Sequence, residues 1–152
     1  MYRFRSVWRL PRSREDLWDE IESLIRSQNP VPWWGAVTAV ASRPDGYDLV
    51  ARSCVGYRLR FTLHDLDLDR PTAMTFRSRG DLVGQAALAF ADDGADRTRV
   101  TIDWRVDVTV DWMRRTEWML RPVFVLAHTV IMASGERRLR RWLRAAPRRR
   151  SP

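Results

Sequence analysis

One histidine, two serines and a group of tryptophans offer the most chemistry in this chain, and their spacing fixes where each can work. His128 shares three- and four-residue steps with Phe124, Ile131, Gly135 and Leu139, which puts it on one face of a helix. An imidazole there can act as general acid or base near neutral pH, or hydrogen-bond a ligand oxygen. It can equally be a buried histidine satisfied by a neighbour, since no carboxylate stands at a fixed spacing from it. Ser6 alternates with Phe4 and Trp8, and Ser78 with Met74 and Phe76, so both hydroxyls fall on apolar strand faces. Each either meets a ligand or bonds locally. Trp33, Trp34 and Trp104 supply large flat surfaces that wall a pocket, stack on a planar ligand or simply fill a core.

Other chemistries lack their residues. Asp65, Asp67 and Asp69 alternate, but in a calcium loop begun at Asp65 the sixth position is Arg70 and the twelfth Phe76, where glycine and glutamate are needed. A charged edge or turn is the expectation for that run. Cys54 is the single cysteine, so it forms no internal disulfide or zinc site, and it is expected to be a small buried hydrophobe. No GxSxG, HExxH, P-loop or GxGxxG occurs, and neither a metal nor a cofactor is expected.

The elements that position these side chains follow from periodicity. Residues 2–10 alternate, with Tyr2, Phe4, Trp8 and Leu10 on one face and Arg3, Arg5 and Arg9 on the other, which marks a half-buried strand. Pro11 stops it, Ser13 reads as an N-cap, and Leu17, Ile21, Leu24 and Ile25 follow at helical spacing. Asn29-Pro30-Val31-Pro32 breaks that helix. Strands are then expected over 37–42 and 47–54 about an Asp45-Gly46 hairpin, around Tyr57–Leu63, and over 73–79, 82–91 and 100–108. Seven strands on short connections imply an antiparallel sheet with one wet face. After Asp111 the period becomes helical through Trp142 or Leu143, and Pro122 bends that helix or marks its start.

The charge is divided. All 27 basic residues among the 152 are arginine, and residues 1–110 hold 16 Arg against 16 Asp and Glu. Residues 111–152 hold 11 Arg against three acids, so they carry the whole net charge of +8. That basic end solvates an outer helix face, or engages anionic membrane or, less favoured, nucleic acid. The first ten residues alternate, unlike a signal peptide, and the apolar run from Trp118 to Gly135 is interrupted by Arg121, Pro122 and His128. A buried helix of a cytoplasmic protein is therefore expected, not a membrane span.

In its order of elements the sequence resembles the START-like (SRPBCC) superfamily, within it the polyketide cyclase/dehydrase and lipid transport family. The resemblance rests on Ser13-Arg-Glu-Asp-Leu17-Trp18-Asp-Glu-Ile21, Trp33-Trp34-Gly35-Ala36-Val37 and Gly80-Asp81-Leu82-Val83-Gly84. It rests further on Asp93-Gly94 leading to Thr98-Arg-Val100-Thr-Ile-Asp-Trp104, and on Pro122-Val-Phe124 with His128, Met132 and Gly135. It implies an α+β helix-grip fold, a curved seven-stranded antiparallel sheet wrapped around a long C-terminal helix, with one or two short helices after the first strand. The domain is expected over 1–146, with a basic disordered tail over 147–152.

A curved sheet around one helix leaves space unless its side chains are large, and Gly84, Ala86, Ala127, Ser134 and Gly135 are small. An apolar cavity of several hundred Å3 is expected. Its ligand-binding residues are expected to be Ser6, Trp8, Trp33, Trp34, Phe61, Phe76, Ser78, Leu88, Trp104, Phe124, His128, Ile131 and Met132. The expected ligand is a hydrophobic or aromatic small molecule. The resemblance admits cyclase/dehydratase-like chemistry with His128 as the catalytic candidate, or a non-catalytic lipid or quinone carrier. The third class is an interaction protein using its basic end.

Overall fold

Strict alternation of apolar and charged residues builds the sheet. In this computed structural model, which describes residues 2–145, β1 runs Tyr2–Leu10 with its even-numbered side chains turned inward. The helix α1 follows over Arg14–Arg26. Then come β2 (Val37–Arg43), β3 (Gly46–Arg52), β4 (Arg58–Asp69), β5 (Ala73–Gly80), β6 (Leu82–Asp92) and β7 (Thr98–Val108). The chain ends in α2, Asp111–Ala145. Neighbouring strands are antiparallel in the order β1-β7-β6-β5-β4-β3-β2, so β1 and β2 are the open edges. This is the helix-grip arrangement. The expected tail over 147–152 and the domain limit at 146 lie outside the described residues.

Local chemistry explains the boundaries. The Ser13 hydroxyl accepts from the Asp16 backbone N–H at 3.3 Å, satisfying one of the free donors at the start of α1. Ser13→Ala is expected to lower stability by about 1 kcal/mol, read as a reduced urea midpoint at unchanged slope. One helix, not two, separates β1 from β2, and the prolines leave Pro32–Trp34 as a turn.

Two local expectations are corrected and a third is decided. The β2–β3 hairpin turns at Pro44-Asp45, because Gly46 is already paired with Arg43. Cys54 is exposed, since β3 ends at Arg52 and the chain turns through Ser53–Gly56 with Gly56 at a φ of 98°. The run around Asp65, Asp67 and Asp69 is the charged edge of the two alternatives and not the turn, since β3 pairs with β4 only as far as His64. β4 continues through it after a bulge at Asp65, which sits at a φ of 52°. The bulge resets the phase, so Leu66 and Leu68 pack toward the core.

Pro122 lies inside α2 and does not begin it, so α2 is one 35-residue helix, about 52 Å long. Its second half is fastened to β1. Arg140 Nε donates to the Arg9 carbonyl at 2.7 Å, Glu136 accepts from the Arg9 N–H at 3.2 Å, and Arg12 donates to the Leu143 carbonyl. Part of the basic end therefore holds the fold together. Of the two alternatives, Leu143 enters the core, while Trp142 is half-buried and donates to Glu20.

The expectation of a buried helix holds on one face only. Phe124, Ala127, Met132, Gly135 and Leu139 are buried, but only 22% of the most apolar stretch of α2 is. The helix is long and apolar enough to cross a membrane by length and composition. Its inner face, however, is packed against the sheet. Its outer face exposes Met119, Val123, Leu126 and Val130 to solvent.

Candidate functional site

Between the concave face of the sheet and α2 lies a cavity of about 290 Å3. That is near the lower end of ordinary ligand pockets, about 300–1,000 Å3. Its walls are apolar almost throughout. Trp8 comes from β1, Phe61 from β4, Phe76 from β5, Leu88 from β6 and Trp104 from β7. Phe124, His128, Ile131 and Met132 close it from α2, and Trp33 and Trp34 from the turn before β2.

Ring geometry shapes the space. Trp104 meets Phe76 edge-on at 5.5 Å and Phe61 at 6.1 Å. Between them Ala86 is the cross-strand neighbour of both Phe76 and Trp104, and its short side chain leaves room for the two rings. Gly84 has a different cause. A Cβ there would lie 1.9 Å from the Arg105 carbonyl oxygen, so the close approach of β7, not the cavity, requires glycine.

Trp33 and Trp34 stack at 5.3 Å, and Trp8 stands edge-on to both. This indole cluster presses on α2 at Gly135, where a Cβ would lie 2.8 Å from Trp34 Cε2 and 2.9 Å from Trp8 Cη2. Gly135 therefore admits two indoles to the helix backbone and leaves no empty space of its own. The indole N–H groups of Trp34 and Trp104 are buried without a hydrogen-bond partner.

His128 is the ionisable group of α2 that reaches this space. Its ring stacks on Phe4, centroids 3.7 Å apart and 12° between planes. Burial alone pushes its pKa from 6.5 down to about 4, so the imidazole is neutral at pH 7. Among the described residues no carboxylate is ion-paired with it. The resulting group can accept or donate one hydrogen bond, but it is a poor proton donor near neutrality.

Two expected contacts fall away from the wall. Ser6 is half-buried on the inner face of β1 and does not line the cavity. Ser78 does not line it either. It is 3% exposed, with its hydroxyl unpartnered inside the sheet's own packing. The cavity also collects residues outside the expected set, chiefly Phe4, Tyr47, Tyr57 and Met113. Alternation puts Phe4 on the inner face, and that signal is enough to include it. Tyr57 stands just before β4, and its alternation with Leu59, Phe61 and Leu63 puts it on the same inner face.

No family model and no curated protein matches the chain. Solved structures do match it. A START superfamily protein from Mycobacterium smegmatis is 14% identical with a TM-score of 0.62, over 92% of this chain and 95% of that one. An aromatase/cyclase, Zhui, from Streptomyces sp. R1128 is 14% identical with a TM-score of 0.58, over 95% of this chain and 96% of that one. A protein from Thermus thermophilus is 17% identical with a TM-score of 0.65, over 95% of this chain and all of that one. The fold is START-like, and at these identities the likeness speaks of the fold alone.

Proposed function

We propose, taking the START-like fold as premise, that this chain binds a small apolar or aromatic molecule in the cavity beneath α2. The observation that carries the reading is the cavity itself, about 290 Å3 walled by all nine elements with scarcely a polar atom. A void of that size lined by large side chains forgoes dispersion contacts that a ligand would restore. The flat walls made by Trp34, Trp104 and Phe76 favour a planar ligand.

Binding is favoured over proton-shuttling catalysis. The aromatase/cyclase neighbour motivates a cyclase version in which His128 moves protons. A histidine with a pKa of about 4 and no carboxylate partner serves better as a neutral wall or hydrogen-bonding group. A carrier for a small lipid or quinone uses the same cavity and needs no proton transfer.

The test is a fill-in variant beside direct ligand identification. Native mass spectrometry of the purified protein is expected to show a co-purifying apolar species. Ile131→Trp, which grows into the cavity from α2, is expected to weaken binding of that species at least about tenfold while the protein still unfolds cooperatively. Unchanged affinity in Ile131→Trp would place the ligand elsewhere.

A further inference from the structure

The outer line of α2 is unusual for a surface meant only for water. Met119, Val123, Leu126 and Val130 follow one another at four-, three- and four-residue steps, forming one stripe about 17 Å long. Met119 is 56% exposed and Leu126 61%, and Trp118 beside them is 83% exposed. The stripe continues into Arg115 at one end and into Arg137 and Arg141 at the other, all exposed. No acid lies on it. Glu117 is turned to Arg121, and Glu136 to Arg140 and the Arg9 backbone, away from this line.

Charge decides what covers such a line. A second copy of the chain, laid parallel, sets Arg137 and Arg141 against themselves. Laid antiparallel, it sets them against Arg115. Either pairing places like charges together on chains that each carry +8. An anionic lipid surface meets both basic ends at once, and its acyl boundary accepts the apolar middle.

We propose that the outer face of α2 docks in the plane of an anionic phospholipid bilayer, with Leu126 and its neighbours in the acyl boundary and the arginines at phosphate level. The helix does not span, because its inner face stays on the sheet. One helix width of about 10 Å then separates the bilayer from the cavity that Phe124 and Ile131 line from within.

Co-sedimentation of the full chain with vesicles tests this, using equal phosphatidylglycerol and phosphatidylcholine, or phosphatidylcholine alone. Binding to the anionic vesicles is expected, at least tenfold weaker on the neutral ones and tenfold weaker for Leu126→Asp/Val130→Asp. That variant keeps Arg148, Arg149 and Arg150, so its loss belongs to the helix face and not to the terminal arginines. Arg137→Gln/Arg141→Gln is a second probe should the aspartates disturb folding, and it too is expected to bind more weakly. Failure of the wild type to bind anionic vesicles, or equal binding by both variants, overturns the proposal. So does a wild-type dimer that Leu126→Asp dissociates. Ligand affinity measured without vesicles is expected to be unchanged in the aspartate variant, so this surface and the cavity can fail separately.

Discussion

Acidification from pH 7 to pH 4 is expected to cost the wild-type protein about 3 kcal/mol more stability than it costs His128→Phe. The reason is the setting of the imidazole, stacked on Phe4 and sunk in an apolar wall. Burial favours the neutral ring and lowers its folded pKa to about 4, against 6.5 in the unfolded chain. Above pH 6.5 both states are neutral and the preference is fully present. Between 6.5 and 4 the unfolded chain takes up a proton that the folded chain refuses, so stability falls with pH. Below pH 4 both states are charged and this loss stops growing. Carboxylates titrate at the acid end of this range and below it, among them Asp48, whose pKa is held down by hydrogen bonds from Arg43 and Thr62. They are common to both proteins and cancel in the difference. Phenylalanine keeps a flat ring against Phe4 and removes the titration. Urea unfolding of both proteins at several pH values measures the effect. Parallel stability profiles, or an NMR titration that puts His128 at 6.5, would show that the ring is not desolvated.

How far such a site can be read from residues alone depends on whether its signal is local. β7 is plain because Val100, Ile102, Trp104, Val106 and Val108 alternate with polar neighbours for its whole length. The second half of β4 is not, because the bulge at Asp65 moves the apolar side chains by one residue and breaks the period of two. The inward stripe of α2 is legible from its 3.6-residue period, and with it the part of the cavity wall made by Phe124, His128 and Ile131. The stack of Phe4 on His128 is not, because it joins opposite ends of the chain and only the fastening of α2 across β1 brings them together. The outer stripe of α2 is hidden for a related reason. A charge-free run from Pro122 to Gly135 looks alike whether both faces are buried or one, and only the sheet's position decides.

Gly135 separates two physical effects of opposite sign, and packing is expected to outweigh helix propensity at this position of α2. Helix propensity alone predicts that a side chain here adds about 1 kcal/mol of stability. The packing says otherwise. A Cβ meets Trp34 at 2.8 Å and Trp8 at 2.9 Å, and neither ring can easily retreat. Trp34 is backed by Trp33 in a stack, and Trp8 stands against both. The helix cannot easily lift, because Arg9, Arg12, Glu136 and Arg140 fasten this part of it to β1 and the turn that follows. Overpacking of a closed core costs about 1–3 kcal/mol, and a branched side chain falls at the upper end. Gly135→Val is therefore expected to lose about 3 kcal/mol, and Gly135→Ala about 1 kcal/mol after the propensity gain. The decisive measurement is the sign of the alanine change in two backgrounds. With Trp34 and Trp8 both replaced by alanine the two obstructing rings are gone, only propensity remains, and Gly135→Ala is expected to stabilise. If it stabilises the wild-type protein as well, the indoles do not hold this glycine in place.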